Sequence, residues 1–410
     1  MADSPNSPVT PSHGHAPGEV FTAFLKLGLT SFGGPVAHIG YFRREFVERR
    51  GWLNDKAFTD LVGLCQFLPG PASSQVGFSL GLLRGGWLGG LAAWCGFTLP
   101  SVLLLLVFGT LSFALSGPVG QGVVHGLKLI AVAVVTQAVW EMGKRLYPDW
   151  RRLGIALGAC VVLLMLGSVY AQLIVIVLGA VLGLGLCRDA GRAAPASRSP
   201  LLAFRIPKAT GVVAFGLFTA LLVGLPLLRT VDGTQRLAVF DAFYRSGALV
   251  FGGGHVVLPL LEAQTVTNGW VSGSDFLAGY GAAQAVPGPL FTFAAYLGWM
   301  RVDTPNGWAG ATIATVGIFL PGLLLVVAAL PFWQALQANA RVASMFAGVN
   351  AAVIGLLAAA LYSPVATSAI QRPLDVAVSV AGVMFLIRWR MPPLIVVGGC
   401  IAAGVAMRLL

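Results

Sequence analysis

The sequence predicts an all-α polytopic membrane protein built from two homologous halves of inverted topology, with broken or re-entrant helices and about 13 hydrophobic membrane elements. Three observations carry that prediction. The 410 residues are 57% hydrophobic and only 10% charged, and the apolar residues fall in runs long enough to cross a bilayer. The stretch Gln66-Phe67-Leu68-Pro69-Gly70-Pro71 returns in the second half of the chain as Gln284-Ala285-Val286-Pro287-Gly288-Pro289. Basic residues crowd some gaps between the runs and are missing from others.

Residues 1–19 carry Pro5, Pro8, Pro11 and Pro17 without an apolar core, so they are expected to form a disordered tail and not a signal peptide. His13 and His15 in that tail read as solvated residues. The first half, 20–187, opens with an apolar run to about Phe42 that is interrupted at Phe32-Gly33-Gly34-Pro35 and holds Lys26 and His38. The Pro-Gly-Pro element follows, from Lys56 to Leu83. Each proline removes a backbone donor and clashes with the turn before it, so the helix must break there. Four more elements complete the half: Gly86 to Leu115 with Pro100 inside, Val119 to Met142, Leu153 to Val169, and Ala171 to Cys187.

Residues 188–209 are basic and rich in Ala, Ser and Pro, which predicts a cytoplasmic linker. A lone span, 210–230, precedes the second half, 231–410. That half repeats the first in order and at a nearly constant separation: Phe251-Gly252-Gly253 answers Phe32-Gly33-Gly34, Pro321 answers Pro100, and Gly348 answers Gly126.

Parity decides how the halves face. Six crossings plus one, or four plus one if both broken elements of each half dip in and return, is odd. The second half is therefore inverted on either count. Arg43, Arg44, Arg49, Arg50 and Lys56 lie between the broken elements of the first half, whereas the matching loop, Ala263 to Asp275, has no Lys or Arg. The positive-inside rule puts these loops on opposite sides, and only the dipping version satisfies every charged loop.

Two inverted breaks near the midplane make a site. The limb after Pro71 begins with unpaired backbone N–H groups and the hydroxyls of Ser73 and Ser74, and its counterpart after Pro289 offers Thr292. Helix N-termini of this kind suit an anion, and a pair of them suits a compact divalent oxyanion. Gln66 and Gln284, with Gly70 and Gly288, are the binding candidates at the breaks formed by Gly33, Gly34, Pro69, Pro71, Gly252, Gly253, Pro287 and Pro289. The competing reading of each break is a plain kink in a packed helix.

Lys26 and Arg245 occupy matching places before the Phe-Gly-Gly breaks and are candidates, with Arg84, for compensating the anion's charge. Snorkelling to a headgroup explains Lys26 and Arg245 equally well. His38, His255 and Asp60 are candidates for proton coupling, against the blander roles of a hydrogen-bonded core histidine and a paired or capping carboxylate. Glu141 is weighed beside Asp60. The five cysteines show no paired spacing, so neither a disulfide nor a metal site is expected, and no cofactor is implied. The net charge of +11 reads as topology signal and lipid contact, with no nucleic-acid partner.

The ordered set Phe24-Leu25-Lys26-Leu27-Gly28, Phe32-Gly33-Gly34-Pro35, Gly51-Trp52-Leu53, Asp60-Leu61, Gln66 to Pro71 and Arg84-Gly85-Gly86-Trp87 closely resembles the chromate ion transporters. Phe251 to Leu261, Gly269-Trp270 and Gln284 to Pro289 look like that family's C-terminal domain. The resemblance covers the chain from about Phe21, with two departures: Gly254 stands at the Pro35 position and Ala278 at the Asp60 position. It implies a long, two-domain carrier of the bacterial inner membrane that expels chromate and confers resistance, with sulfate as a competitor. The expected protein is thus a transporter and not an enzyme, a homodimer is entertained, and a carrier of sulfate or a related oxyanion is the alternative. An integral membrane enzyme is the rival from another class, but it would need a catalytic cluster or cofactor ligand set that the sparse His, Cys and acidic residues do not offer.

Overall fold

The computed structural model describes residues 17–112, 117–144, 146, 149–166, 169–188, 206–231, 233–337 and 339–410. The expected tail and most of the basic linker lie outside them. Among the described residues there are helices and no strand.

In the first half, α1 (Pro17–Thr30) runs to the Phe-Gly-Gly break and α2 (Gly34–Phe42) leaves it. Helix α3 (Asp55–Phe67) runs to the Pro-Gly-Pro break and α4 (Ala72–Ser112) leaves it. The Asn54 side chain caps α3 by accepting from the Ala57 N–H at 2.9 Å. Helix α4 is broken again at Gly85 and Gly86, and the φ of 62° at Gly86 lies in the left-handed region. It is followed by α5 (Gly117–Lys144), α6 (Trp150–Leu166) and α7 (Val169–Leu186), and then by the lone α8 (Lys208–Val231). The second half follows the same plan: α9 (Gln235–Ala248), α10 (Val257–Thr265), α11 (Gly273–Ala285), α12 (Phe293–Trp299), α13 (Gly307–Ala329), α14 (Ala340–Ala360), α15 (Pro373–Ile387) and α16 (Pro393–Leu409). The Ser272 hydroxyl caps α11 as Asn54 caps α3, accepting from the Asp275 N–H at 3.0 Å. Five of the described helical stretches are long and apolar enough to cross a membrane: Ala72–Ser112, Gly117–Lys144, Lys208–Val231, Gly307–Phe332 and Ala340–Ala369.

The broken elements dip and return. Arg50 Nη1 lies 3.2 Å from Glu19 Oε1, and Arg84 reaches the other Glu19 oxygen at 3.7 Å while its guanidinium stacks on Trp52 at 5.3 Å. The beginning of α1, the loop after α2 and the end of the first α4 limb therefore meet at one face. Between that face and the tips, the Phe24 ring stacks on Phe46 at 4.8 Å, as two limbs of a hairpin require. The second half closes the same way. Arg301 stacks on Trp270 at 4.1 Å, donates to Gln235 Oε1 at 3.2 Å, and Val302 N–H donates to the Trp270 carbonyl at 3.1 Å. Arg301→Ala removes this buried clamp and is expected to lower stability by about 1–2 kcal/mol in a thermal unfolding scan. With the broken limbs paired into hairpins, each half keeps four further helical limbs, and α8 stands between the halves, an order that fits an inverted repeat.

The halves also exchange their ends. Helices α6 and α7 pack on α14 of the other half, while α15 and α16 pack on α5. Small residues allow the close approach: added Cβ atoms at Gly122 and Gly126 would strike the α16 backbone at Cys400 to Val405, and at Gly179 and Gly183 they would strike α14 at Ser344 to Ala352.

Candidate functional site

The four tips of the dipping hairpins meet in the interior. Gly70 N–H donates to the Val250 carbonyl at 2.8 Å, and Gly288 N–H donates to the Ser31 carbonyl at 2.9 Å. Each Pro-Gly-Pro thus pairs with the Phe-Gly-Gly break of the other half. A Cβ on Gly254 would stand 3.4 Å from Pro35 and 3.7 Å from Leu290, which joins the two pairs into one locus. The proline-bearing helices brace it from opposite sides. Ser101, after Pro100, donates to the Pro287 carbonyl at 2.6 Å, and Gln75 Nε2 donates to both Pro69 and Gly322 carbonyls at 2.9 and 3.0 Å.

This pattern leaves the locus rich in donors. The carbonyls of Ser31, Pro69, Val250, Pro287, Pro289 and Gly322 all accept hydrogen bonds, with Thr292 Oγ1 serving Pro289 at 2.7 Å. The first amides of α4, at Ala72, Ser73 and Ser74, precede the first intrahelical donor, Gln75 N–H to the Pro71 carbonyl. Pro71 has no side-chain acceptor to cap them. Among the described residues, Ser31 Oγ, Ser74 Oγ, Gln75 Oε1 and Gln284 Nε2 are buried without a hydrogen-bond partner. Unpaired buried polar atoms are costly; others occur elsewhere, as at Asp241 and Arg301, but these four stand at the breaks and on the helices that adjoin them, which fits a polar occupant there.

The histidines frame the tips. His38 is fully buried; its Nε2 lies 3.2 Å from the Ser31 carbonyl, which fixes the proton there, and its Nδ1 lies 3.4 Å from Ser73 Oγ. In the other half the Tyr280 hydroxyl lies 2.8 Å from His255 Nδ1. Gln66, by contrast, is exposed on α3 and Asp60 is partly exposed.

The candidate cations lie outside the tips. Arg84 stands about 18 Å along the limb from Ala72, at the Glu19 and Trp52 face. Lys26 is exposed on α1. Arg245 donates to Asp241 Oδ2 at 2.6 Å and shares that carboxylate with Arg229 at 2.9 Å. Gly33, Gly34, Gly252 and Gly253 form the bends themselves, with φ of 101°, 77°, 78° and 139°. Among the described residues no group of three or more His, Cys, Asp or Glu could hold a metal ion.

Sequence reasoning passed over several buried polar groups. Asp241 is fully buried, and its spacing of one helical turn from Arg245 was a readable ion-pair signal. Arg301 repeats Arg84 as Trp270 repeats Trp52, but the two pairs are one position out of register, which hid the match. His125 Nε2 pairs with Asp375 Oδ1 at 2.7 Å from the far end of the chain, a separation without any local signature.

A family model described as chromate transporter matches residues 18–184 and again 237–405. The chain is 31% identical over 398 residues to a chromate transport protein of Pseudomonas aeruginosa, covering 95% of this chain and 91% of that one. It is 27% identical over 391 residues to a chromate transport protein of Cupriavidus metallidurans, covering 94% and 92%. An uncharacterized transporter of Bacillus subtilis is 29% identical over 125 residues, which cover 30% of this chain and 70% of that shorter one. No solved structure matches. With the model matching both halves, the chain belongs to the chromate transporter family.

Proposed function

We infer that the protein is a secondary transporter that carries chromate out of the cytoplasm across the inner membrane and thereby confers resistance. The anion is held at the paired Pro-Gly-Pro tips. One observation carries the site: the tip carbonyls are occupied while donors at Gln284, Ser74 and the α4 N-terminus are not. A tetrahedral dianion supplies the acceptors these groups lack. No Gly-rich, Lys-Ser/Thr nucleotide motif occurs in the sequence, so an ion gradient or the membrane potential is the energy source. Moving a dianion out of an inside-negative cell releases on the order of 4–5 kcal/mol per 100 mV, which suffices for efflux.

The test is uptake of radiolabelled chromate by inverted membrane vesicles. Uptake should rise with an imposed inside-positive potential and fall when sulfate competes. Gln284→Ala, which removes an unpaired buried donor, should lower uptake about tenfold or more, and Gln66→Ala, which is exposed in this conformation, should lower it less. Sulfate accumulating in place of chromate would favour a carrier of related oxyanions. Absence of any uptake above empty vesicles would overturn the reading.

A further inference from the structure

The two halves share a sequence plan but not a packing. Helix α11 lies along α5, with Phe276 to Ala283 buried, and an added Cβ at Gly281 would run into the Leu127 carbonyl. Helix α10 is equally enclosed, with Val257 to Leu261 buried against α14 and α7. The corresponding helices of the first half are parted from theirs. Helix α3 is not packed along α14; its tip alone reaches over, the Phe67 ring meeting Phe346 at 4.1 Å. Gly63, the counterpart of Gly281, is exposed, and a Cβ there would meet nothing nearer than Trp333 at 4.0 Å. On α2, Val36 is 74% exposed.

The chemistry of the parted face says what it borders. Lys56, Thr59, Gly63 and Gln66 recur at helical spacing on α3 and are all exposed. Lys, Thr and Gln in one stripe do not suit lipid, so the stripe borders water. It opens on the face that carries Arg43, Arg44, Arg49 and Arg50, which the positive-inside rule assigns to the cytoplasm.

We propose that this is one of two conformations, open to the cytoplasmic face, and that Gly63 is the residue on which that face closes. In the other conformation the α3 stripe seats on α14 of the same chain, with Gly63 against Val349 as Gly281 now rests against Leu127. Val349 follows Gly348 as Leu127 follows Gly126, and Gly281 stands before Gln284 as Gly63 stands before Gln66, so both pairs are positional counterparts. An inverted repeat makes the exchange possible because each half can adopt the packing the other holds. Position 63 then needs a small side chain in the conformation not seen here and tolerates a large one in the conformation that is.

This separation makes the test sharp, and it rests on the transporter reading without depending on which anion is carried. Gly63→Leu, in the full chain reconstituted into vesicles, should match wild type in yield and melting temperature, yet transport about tenfold or more slowly because the closed packing is blocked. Gly63→Cys should react with a membrane-impermeant maleimide applied to the cytoplasmic face only. Joined to Val349→Cys by a short thiol cross-linker within one chain, and compared with each single variant, it should arrest transport. Transport at the wild-type rate by Gly63→Leu, maleimide labelling from the outer face, or cross-linking between two chains would overturn the proposal; the last result would identify the stripe as a contact with a second copy.

Discussion

Gly288→Ala is expected to abolish transport and to lower stability by about 2–5 kcal/mol, more than any other single methyl added to the tips. Two costs add. Gly288 has a φ of 96°, which an alanine adopts only under strain, and its Cβ would collide with Ser101 Oγ, the group that holds the Pro287 carbonyl. The costs can be separated by a double-mutant cycle. Ser101→Ala alone removes one hydrogen bond to a buried carbonyl and should cost about 1 kcal/mol. Combined with Gly288→Ala it relieves the collision but not the backbone strain, so the double variant should be more stable than the sum of the singles. Thermal unfolding in detergent reads the energies, and vesicle uptake reads the function. Gly70→Ala meets the same strain at a φ of 116°, with Gly322 Cα 3.0 Å from the new atom. A Gly288→Ala protein that melts with wild type would mean that the tip is not held as described.

That both glycines stand at such bends was readable from the sequence, because Pro-Gly-Pro inside an apolar run cannot continue a helix and two ordered copies cannot be accidental punctuation. The inversion was readable through the charges near Arg43 to Lys56 and their absence from Ala263 to Asp275, and the dipping of the limbs through the basic loops Lys144 to Arg152 and Arg188 to Lys208, which only dipping limbs leave on the same side as Arg43 to Lys56. What joins the tips was not. The Gly70 to Val250 and Gly288 to Ser31 bonds each tie one half of the chain to the other, and neither amide nor carbonyl leaves a trace in residue type. The exchange of α6 and α7 for α15 and α16 was hidden for another reason: helices apolar all round do not say which face is inward. Charge gave an incomplete lead at Arg245. Its match to Lys26 offered a charge-compensating cation near the break or, equally, a headgroup contact, and neither reading included the partner the structure gives it, Asp241, one turn earlier on α9. An acidic residue was read by its distance from the centre of an apolar run, and Asp60 and Glu141 were weighed while the fully buried Asp241 was passed over.

Asp241→Ala is therefore expected to cost about 3–5 kcal/mol. The carboxylate is fully buried and accepts from both Arg229 and Arg245, whose side chain is only 18% exposed. Removing it leaves the largely buried Arg245 without its acceptor beside the like charge of the more exposed Arg229, and an unpaired buried charge makes breaking such a pair more costly than replacing it. Asp241→Asn keeps the volume and one acceptor and should cost less. Replacing the pair, as Asp241→Ala with Arg245→Leu, should recover much of the lost stability, since the charge that remains, Arg229, is 38% exposed and can be hydrated. The double variant then decides what Arg245 does. If it folds like wild type and transports at the wild-type rate, Arg245 is an anchor of α9 and the anion is held by the amides and side chains of the tips. If it folds but needs a higher chromate concentration for half-maximal uptake, the charge contributes to holding the anion although Asp241 shares it, and the second half contributes a cation where the first offers Lys26.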